Sequence, residues 1–214
     1  ADSQFFANVN ALTATGSDTL IVDRDAFLIS NIGYGAALIG GSWTVLVNGK
    51  IGTNNGLAGG LVISAAPSDT SRITIGTHGQ VFGEQTALVS SAPTILTNMG
   101  IISAIDPFFD SVFLSDFADT FNNFKKVGKV IKSGTVLGQI NLGAGDDHFN
   151  GGAKSETVHD SDGSDTIKFG GGNDLYCVVS PLVPVTADGT DIINGGAGID
   201  TYDLTGVTAL FLIN

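Results

Sequence analysis

Between Leu142 and Asp203 the chain repeats itself every nine residues. Cut in nines, it reads LGAGDDHFN, GGAKSETVH, DSDGSDTIK and FGGGNDLYC; after VVSPLVPV it resumes with TADGTDIIN and GGAGIDTYD. Gly, any, Asp, any, apolar recurs as Gly145-Asp147-Phe149, Gly163-Asp165-Ile167, Gly172-Asp174-Tyr176, Gly189-Asp191-Ile193 and Gly198-Asp200-Tyr202. The second unit departs from it, with Lys154 in the glycine slot, Glu156 for the aspartate, and Val158 kept. A period this short leaves room only for a glycine turn and a short strand, so the chain must wind as a flattened coil of stacked turns and strands.

Two nonapeptides complete one coil, and successive coils stack about 4.8 Å apart, the spacing of strands in a sheet. The carboxylate of one unit then lies over that of the unit two further on: Asp147 over Asp165, and Glu156 over Asp174. If VVSPLVPV is an insertion, Asp165 pairs with Asp191 and Asp174 with Asp200; if it is a degenerate repeat, Asp191 stacks on Asp174. Pro181 and Pro184 interrupt any regular strand there and favour the insertion. Stacked bare carboxylates repel one another. A hard dication between them turns the repulsion into ligation, with turn carbonyls as further oxygen ligands. The candidate ligands are Asp147, Glu156, Asp165, Asp174, Asp191 and Asp200. The turns that would curl carbonyls towards them hold Gly143, Gly145, Gly163, Gly170, Gly172, Gly189, Gly196 and Gly198. Glycine suits such turns because it adopts positive φ freely. The apolar residue two places after each acid is expected to point into the coil. At unit two, pairing of Lys154 with Glu156 or Asp174 is an alternative to an ion.

These units resemble the GGxGxDxUx nonapeptide of the RTX calcium-binding proteins. The resemblance covers residues 142–203 and implies a parallel β-roll holding several Ca2+ ions. It also implies a bacterial protein that leaves the cell by type I secretion and folds outside, where calcium is plentiful. The expected partners are calcium itself and, beyond it, an extracellular polysaccharide or surface protein.

Charge agrees with a cation site. The net charge of −12 argues against nucleic acid as a partner. Eleven of the 21 acidic residues lie between Asp146 and Asp203 against two lysines, which leaves that segment at −9. The single Cys177 excludes an internal disulfide. No basic segment followed by an apolar stretch opens the sequence, and no run of about 18 apolar residues occurs, so a soluble protein without a membrane span is expected.

The first 141 residues lack the nonapeptide but keep a looser rhythm. SWTVLVNGKIG, SRITIGTHGQVFG, PTILTNMGIIS and NFKKVGKVIKSG each set alternating apolar residues before a glycine: Gly49, Gly79, Gly100 and Gly128. TLIVDRDAFLIS is an earlier, glycine-free member. Short strands between glycine turns fit coils of a right-handed parallel β-helix, and SGTVLGQINLGAGDD runs into the first nonapeptide without a linker. The predicted architecture is therefore all-β: a right-handed parallel β-helix over 1–141 continuing into a calcium-binding parallel β-roll with a C-terminal cap over 142–214. The coils also resemble those of bacterial β-helical adhesins; a β-sandwich is the alternative. Phe113, Phe117, Phe121 and Phe124 follow at helical spacing, with Ser115 as a cap, and predict a short helix over 115–127.

No catalytic constellation is legible. Parallel β-helices host polysaccharide lyases and epimerases, but IDPFFD has Phe108 where the epimerases' Asp-Pro-His element has histidine. The Asp23-Arg24-Asp25 cluster reads as a solvated turn, and Cys177 has no base beside it. His148 and His159 come close only if a coil brings them together. The expectation is a non-enzymatic secreted structural or adhesion-type module. The alternative is a carbohydrate-active β-helix enzyme or a fragment of one.

Overall fold

The computed structural model describes residues 4–7, 10–54, 59–106, 109–160, 162–178, 189–203 and 211–213, with the strands at 4–7 and 211–213 given by backbone alone. Their regular structure is entirely β, and the strands wind into a parallel solenoid with three faces. Face one has six strands, from Gln4–Ala7 to Thr135–Leu137. Face two has nine, from Leu12–Thr15 to Thr201–Asp203, and face three has nine, from Thr19–Val22 to Phe211–Ile213. Up to the first nonapeptide each turn visits all three faces. Among the described residues face one stops after Thr135–Leu137, and the later turns have two strands each. Nine residues hold one strand and one turn, so two repeats close a two-sided coil; the upstream coils are long enough for a third side. The step where face one ends is a cleft lined by Ala104, Val136, Leu137, Glu156 and Leu175.

Strand register makes the core a set of continuous apolar stacks. On face three Leu20, Val45, Ile73, Leu96, Phe121, Phe149, Ile167 and Ile193 follow one another as direct partners. On face two the series is Leu12, Ala36, Leu61, Leu88, Val112, Ile140, Val158, Tyr176 and Tyr202. Face one adds Leu28, Ile51, Val81, Ile102 and Val136. The apolar residue of each nonapeptide thus continues a column begun far upstream, as alternation along a strand requires. At the change from three faces to two, aromatic rings pack in the core: Phe121 and Phe149 meet edge to face at 5.4 Å, and Phe149 and Phe169 at 5.8 Å.

Gly49, Gly79 and Gly100 occupy the corner between faces three and one, as their rhythm predicts. The corner is too tight for a side chain: a Cβ on Gly79 would lie 2.1 Å from the Val47 carbonyl oxygen, and one on Gly100 would lie 2.3 Å from that of Gly79. Gly128 does not belong to this column. It turns an antiparallel hairpin, Phe124–Val127 with Val130–Ser133, inserted between the two faces, and the corner glycine is Gly134 instead.

The predicted helix over 115–127 is absent. Residues 114–119 form the turn from face two to face three, followed by the strand Thr120–Asn122 and the first arm of the hairpin. The phenylalanines are spread over separate elements: Phe121 is in the core and Phe113 is exposed on its strand. Ser115 meets Asp119 four residues on, as in a helix, but by giving its N–H and hydroxyl to the Asp119 carboxylate. That side-chain bond closes the corner and replaces the backbone bonds a helix would need.

Candidate metal centre

The turns of the two-sided region stack their acids in two columns. Asp147 Oδ1 accepts the Asp119 N–H at 2.7 Å, Asp165 Oδ1 that of Asp147 at 2.6 Å, and Asp191 Oδ1 that of Asp165 at 3.0 Å. On the opposite edge Asp174 Oδ1 accepts the Glu156 N–H at 2.7 Å, and Asp200 Oδ1 that of Asp174 at 3.1 Å. Unit five therefore stacks on unit three and unit six on unit four, which is the register of an insertion. The strand Asp191–Asn194 pairs with Thr166–Lys168, and Thr201–Asp203 pairs with Leu175–Val178. Most of VVSPLVPV lies outside the described residues, as does the Pro107-Phe108 pair of IDPFFD.

One oxygen of each aspartate is thus spent on the backbone of the preceding coil, and Glu156 Oε1 on the Asn123 side chain and the Gly152 N–H. The other is where the chemistry lies. Asp147 Oδ2, Asp165 Oδ2, Asp174 Oδ2 and Glu156 Oε2 are buried and receive no hydrogen bond, while their residues are 0%, 1%, 2% and 4% exposed. Loss of water with no donor in return favours the uncharged acid. Burial accordingly pushes Asp147 and Asp165 up to about 9 and Glu156 up to about 7, with neighbouring carboxylates adding to each, and Asp174 is also raised. A column of such groups must hold either protons or a cation.

Seven of the eight predicted glycines have positive φ, from 84° at Gly196 to 157° at Gly163. Gly189 is required by space instead, since a Cβ there would lie 2.0 Å from Ser164 Oγ. Turn carbonyls follow the same column: a Cβ on Gly163 would lie 2.0 Å from the Gly145 oxygen. The Gly163 and Gly170 oxygens each accept one N–H from the next coil, which leaves a lone pair for a metal. Outside the acids a second ladder runs through side chains: Asp146 accepts from the Ser164 N–H, and Ser164 from that of Thr190.

The Lys154 alternative at unit two is not realised. Lys154 is exposed and forms no ion pair with Glu156 or Asp174. Glu156 Oε1 instead accepts from Asn123 Nδ2 at 2.8 Å, and Asn123 Oδ1 in turn accepts from Asn98. His148 and His159 lie on different faces, and His159 stands 3.8 Å from Asp110.

Sequence reading missed two acids here. Asp119 heads the first column one coil before the nonapeptides; its Asp-Thr-Phe-Asn matches the Asp-Thr-Ile of unit three, but Phe117 fills the glycine slot. Asp160 opens unit three in a slot held by Leu, Gly or Phe in units one, two and four. It is 1% exposed and belongs to a buried trio with Asp147 and Asp165. Comparison with protein-family models, curated proteins and solved structures finds no match to this chain.

Proposed function

We propose that the nonapeptide turns bind several Ca2+ ions and that the protein is a secreted, bacterial, non-enzymatic solenoid module of structural or adhesion type. The reading rests on one observation above all: four repeat carboxylates each bury an oxygen that no protein donor reaches. The donor set is all oxygen, from carboxylates and turn carbonyls, which suits a hard cation. Calcium accepts such irregular cages without retaining water, whereas magnesium demands near-octahedral ligands and keeps its hydration.

The mechanism is linkage between ion and fold. The sites exist only where one coil lies on the next, so ions bind the folded chain and their binding free energy becomes folding free energy. In low calcium each buried carboxyl must take up a proton or stand charged without a partner, so the C-terminal coils are less firmly held. In millimolar calcium the columns are neutralised and the coils lock. This supports passage through a type I channel as an unfolded chain, followed by folding outside, with an extracellular polysaccharide or surface protein as the partner.

A Ca2+ titration of chelator-stripped protein, followed by far-UV circular dichroism and thermal melting, tests the reading. The expected result is a cooperative gain of β signal and a higher melting temperature, with Mg2+ failing to substitute. The same spectrum and melting temperature with and without Ca2+ would remove its basis.

A further inference from the structure

Asp160 ends the face-two strand Thr157–Asp160, and Asp165 stands just before the face-three strand Thr166–Lys168. The two acids thus enter the coil from opposite ends of one turn, with Asp147 of the preceding coil beside them. One carboxylate oxygen from each of the three lies within 4.8 Å of the others, and none of the three residues is more than 1% exposed. A second, independent observation points to a ligand: Asp147 Oδ2 and Asp165 Oδ2 are buried with no hydrogen-bond partner, their Oδ1 atoms being committed to backbone N–H groups. Asp160 is aimed by Tyr176, a fully buried ring whose hydroxyl donates to Asp160 Oδ2 at 2.8 Å.

We propose that Asp147, Asp160 and Asp165 form an interior three-carboxylate site for one Ca2+ ion, distinct from the two-carboxylate sites of the other repeats. The inference rests on the calcium reading of the nonapeptides and adds to it a ligand the repeat does not contain. The slot that Asp160 fills points inward: Leu142, Gly151, Phe169 and Gly195 hold it in other units, and all are buried. A carboxylate there faces the coil interior, away from solvent. Three acids in ligating range of one point present −3 to a dication. Oxygens bound at the Ca2+–O length of about 2.4 Å lie at most about 4.8 Å apart, so one ion reaches all three. The additional charge and the lack of water at the site make this the tightest of the ion sites, and Tyr176 orients its third ligand as hydrogen-bonded partners do around metals.

The test uses the full chain, stripped with chelator and titrated with Ca2+ by calorimetry. Asp160→Asn keeps the size of the side chain and an oxygen for the Tyr176 hydroxyl while removing the charge. The expected result is loss of the tightest binding class, one ion fewer or at least tenfold weaker, with the remaining sites unchanged. Asp200→Asn, a repeat acid outside the trio, is expected to spare that class. Wild-type stoichiometry and affinities within twofold in Asp160→Asn would overturn the proposal and leave Asp160 as a core partner of Tyr176. Failure of the wild-type chain to bind Ca2+ at all would instead overturn the calcium reading on which it rests. Should Asp160→Asn fail to fold, Tb3+ luminescence sensitised by tyrosine decides the matter in folded protein. The first equivalent of Tb3+ is expected to emit strongly in the wild type and severalfold less in Tyr176→Phe; equal emission from the two would overturn the proposal.

Discussion

Asp119 and Asp147 are consecutive members of one column and almost equally buried, yet their chemistry differs. Asp119 Oδ1 accepts the Thr94 N–H, and its Oδ2 accepts both the N–H and the hydroxyl of Ser115, so burial raises it only to about 6. Asp147 has a single backbone donor and stands at about 9. The protein supplies donors for the first and none for the second oxygen of the other. Substitution by asparagine separates the two cases. Asp119→Asn sets an amide against the Ser115 donors and is expected to destabilise by about 1–3 kcal/mol, with or without calcium. Asp165→Asn removes a buried carboxyl whose ionisation the site opposes and is expected to leave the chelated protein as stable as the parent or more so. It should also remove stabilisation by calcium at its site, about 2.7 kcal/mol when the ion stands at a hundred times its dissociation constant. Urea unfolding of both variants in chelator and in saturating Ca2+ measures these differences. An equal loss for Asp165→Asn under both conditions would mean that its carboxylate serves the backbone alone.

At the scale of elements, what could be read in the sequence follows how strictly each coil repeats. A nonapeptide has no slack, so its glycine, acid and apolar positions recur in phase, and the two acid columns and their register were legible from Asp147 to Asp200. Asp119 was not, because its turn is closed by Ser115 side-chain bonds rather than by glycine, and the marker residue is missing. Asp160 was hidden because its slot varies from unit to unit, as Leu142, Gly151, Phe169 and Gly195 show, and so lies outside the Gly-x-Asp-x-apolar pattern. The helix predicted over 115–127 had a similar origin: phenylalanines from a strand end, a corner, a core strand and a hairpin happened to fall three or four apart. Gly128 and Gly134 show the same confusion, since the hairpin displaced the corner glycine by six positions. Their roles predict opposite responses. Gly128 has a φ of 63° and open space around it, so Gly128→Asn, which tolerates that conformation, is expected to change stability by less than about 0.5 kcal/mol. A Cβ on Gly134 would lie 2.3 Å from Asn98 Nδ2 and 2.4 Å from Asn123 Oδ1. Gly134→Ala should therefore cost about 1–3 kcal/mol by overpacking the corner. Thermal melts of the pair check this, and equal melting temperatures would contradict the placement of the corner.

The whole molecule is a solenoid whose two ends are stabilised differently. The three-faced coils are closed mainly by apolar stacks and amide ladders. The two-faced coils bury acids, so their stability depends on what neutralises them. In the chelated protein Asp147 and Asp165 bind protons up to about pH 9 and Glu156 up to about 7, against ordinary values of 3.8 and 4.5. Between roughly pH 4 and 9 the folded chain then holds more protons than the unfolded one, and stability falls as pH rises. It is fully present below the ordinary carboxylate range and lost as pH passes the raised values. Calcium reverses the sign, because the ion displaces those protons and takes over their role. Each proton released makes apparent affinity rise roughly tenfold per pH unit across the interval. Melting curves at pH 5, 7 and 9 should therefore fall steadily in chelator and stay level or rise in saturating Ca2+, with proton release visible as a buffer-dependent heat of binding. Parallel pH profiles in the two conditions would show that the columns hold their protons whether or not calcium is present. The gap in stability between the calcium-loaded and the chelated chain therefore widens as pH rises from about 5 to 9, so calcium does most to hold the acidic coils where their protons are lost.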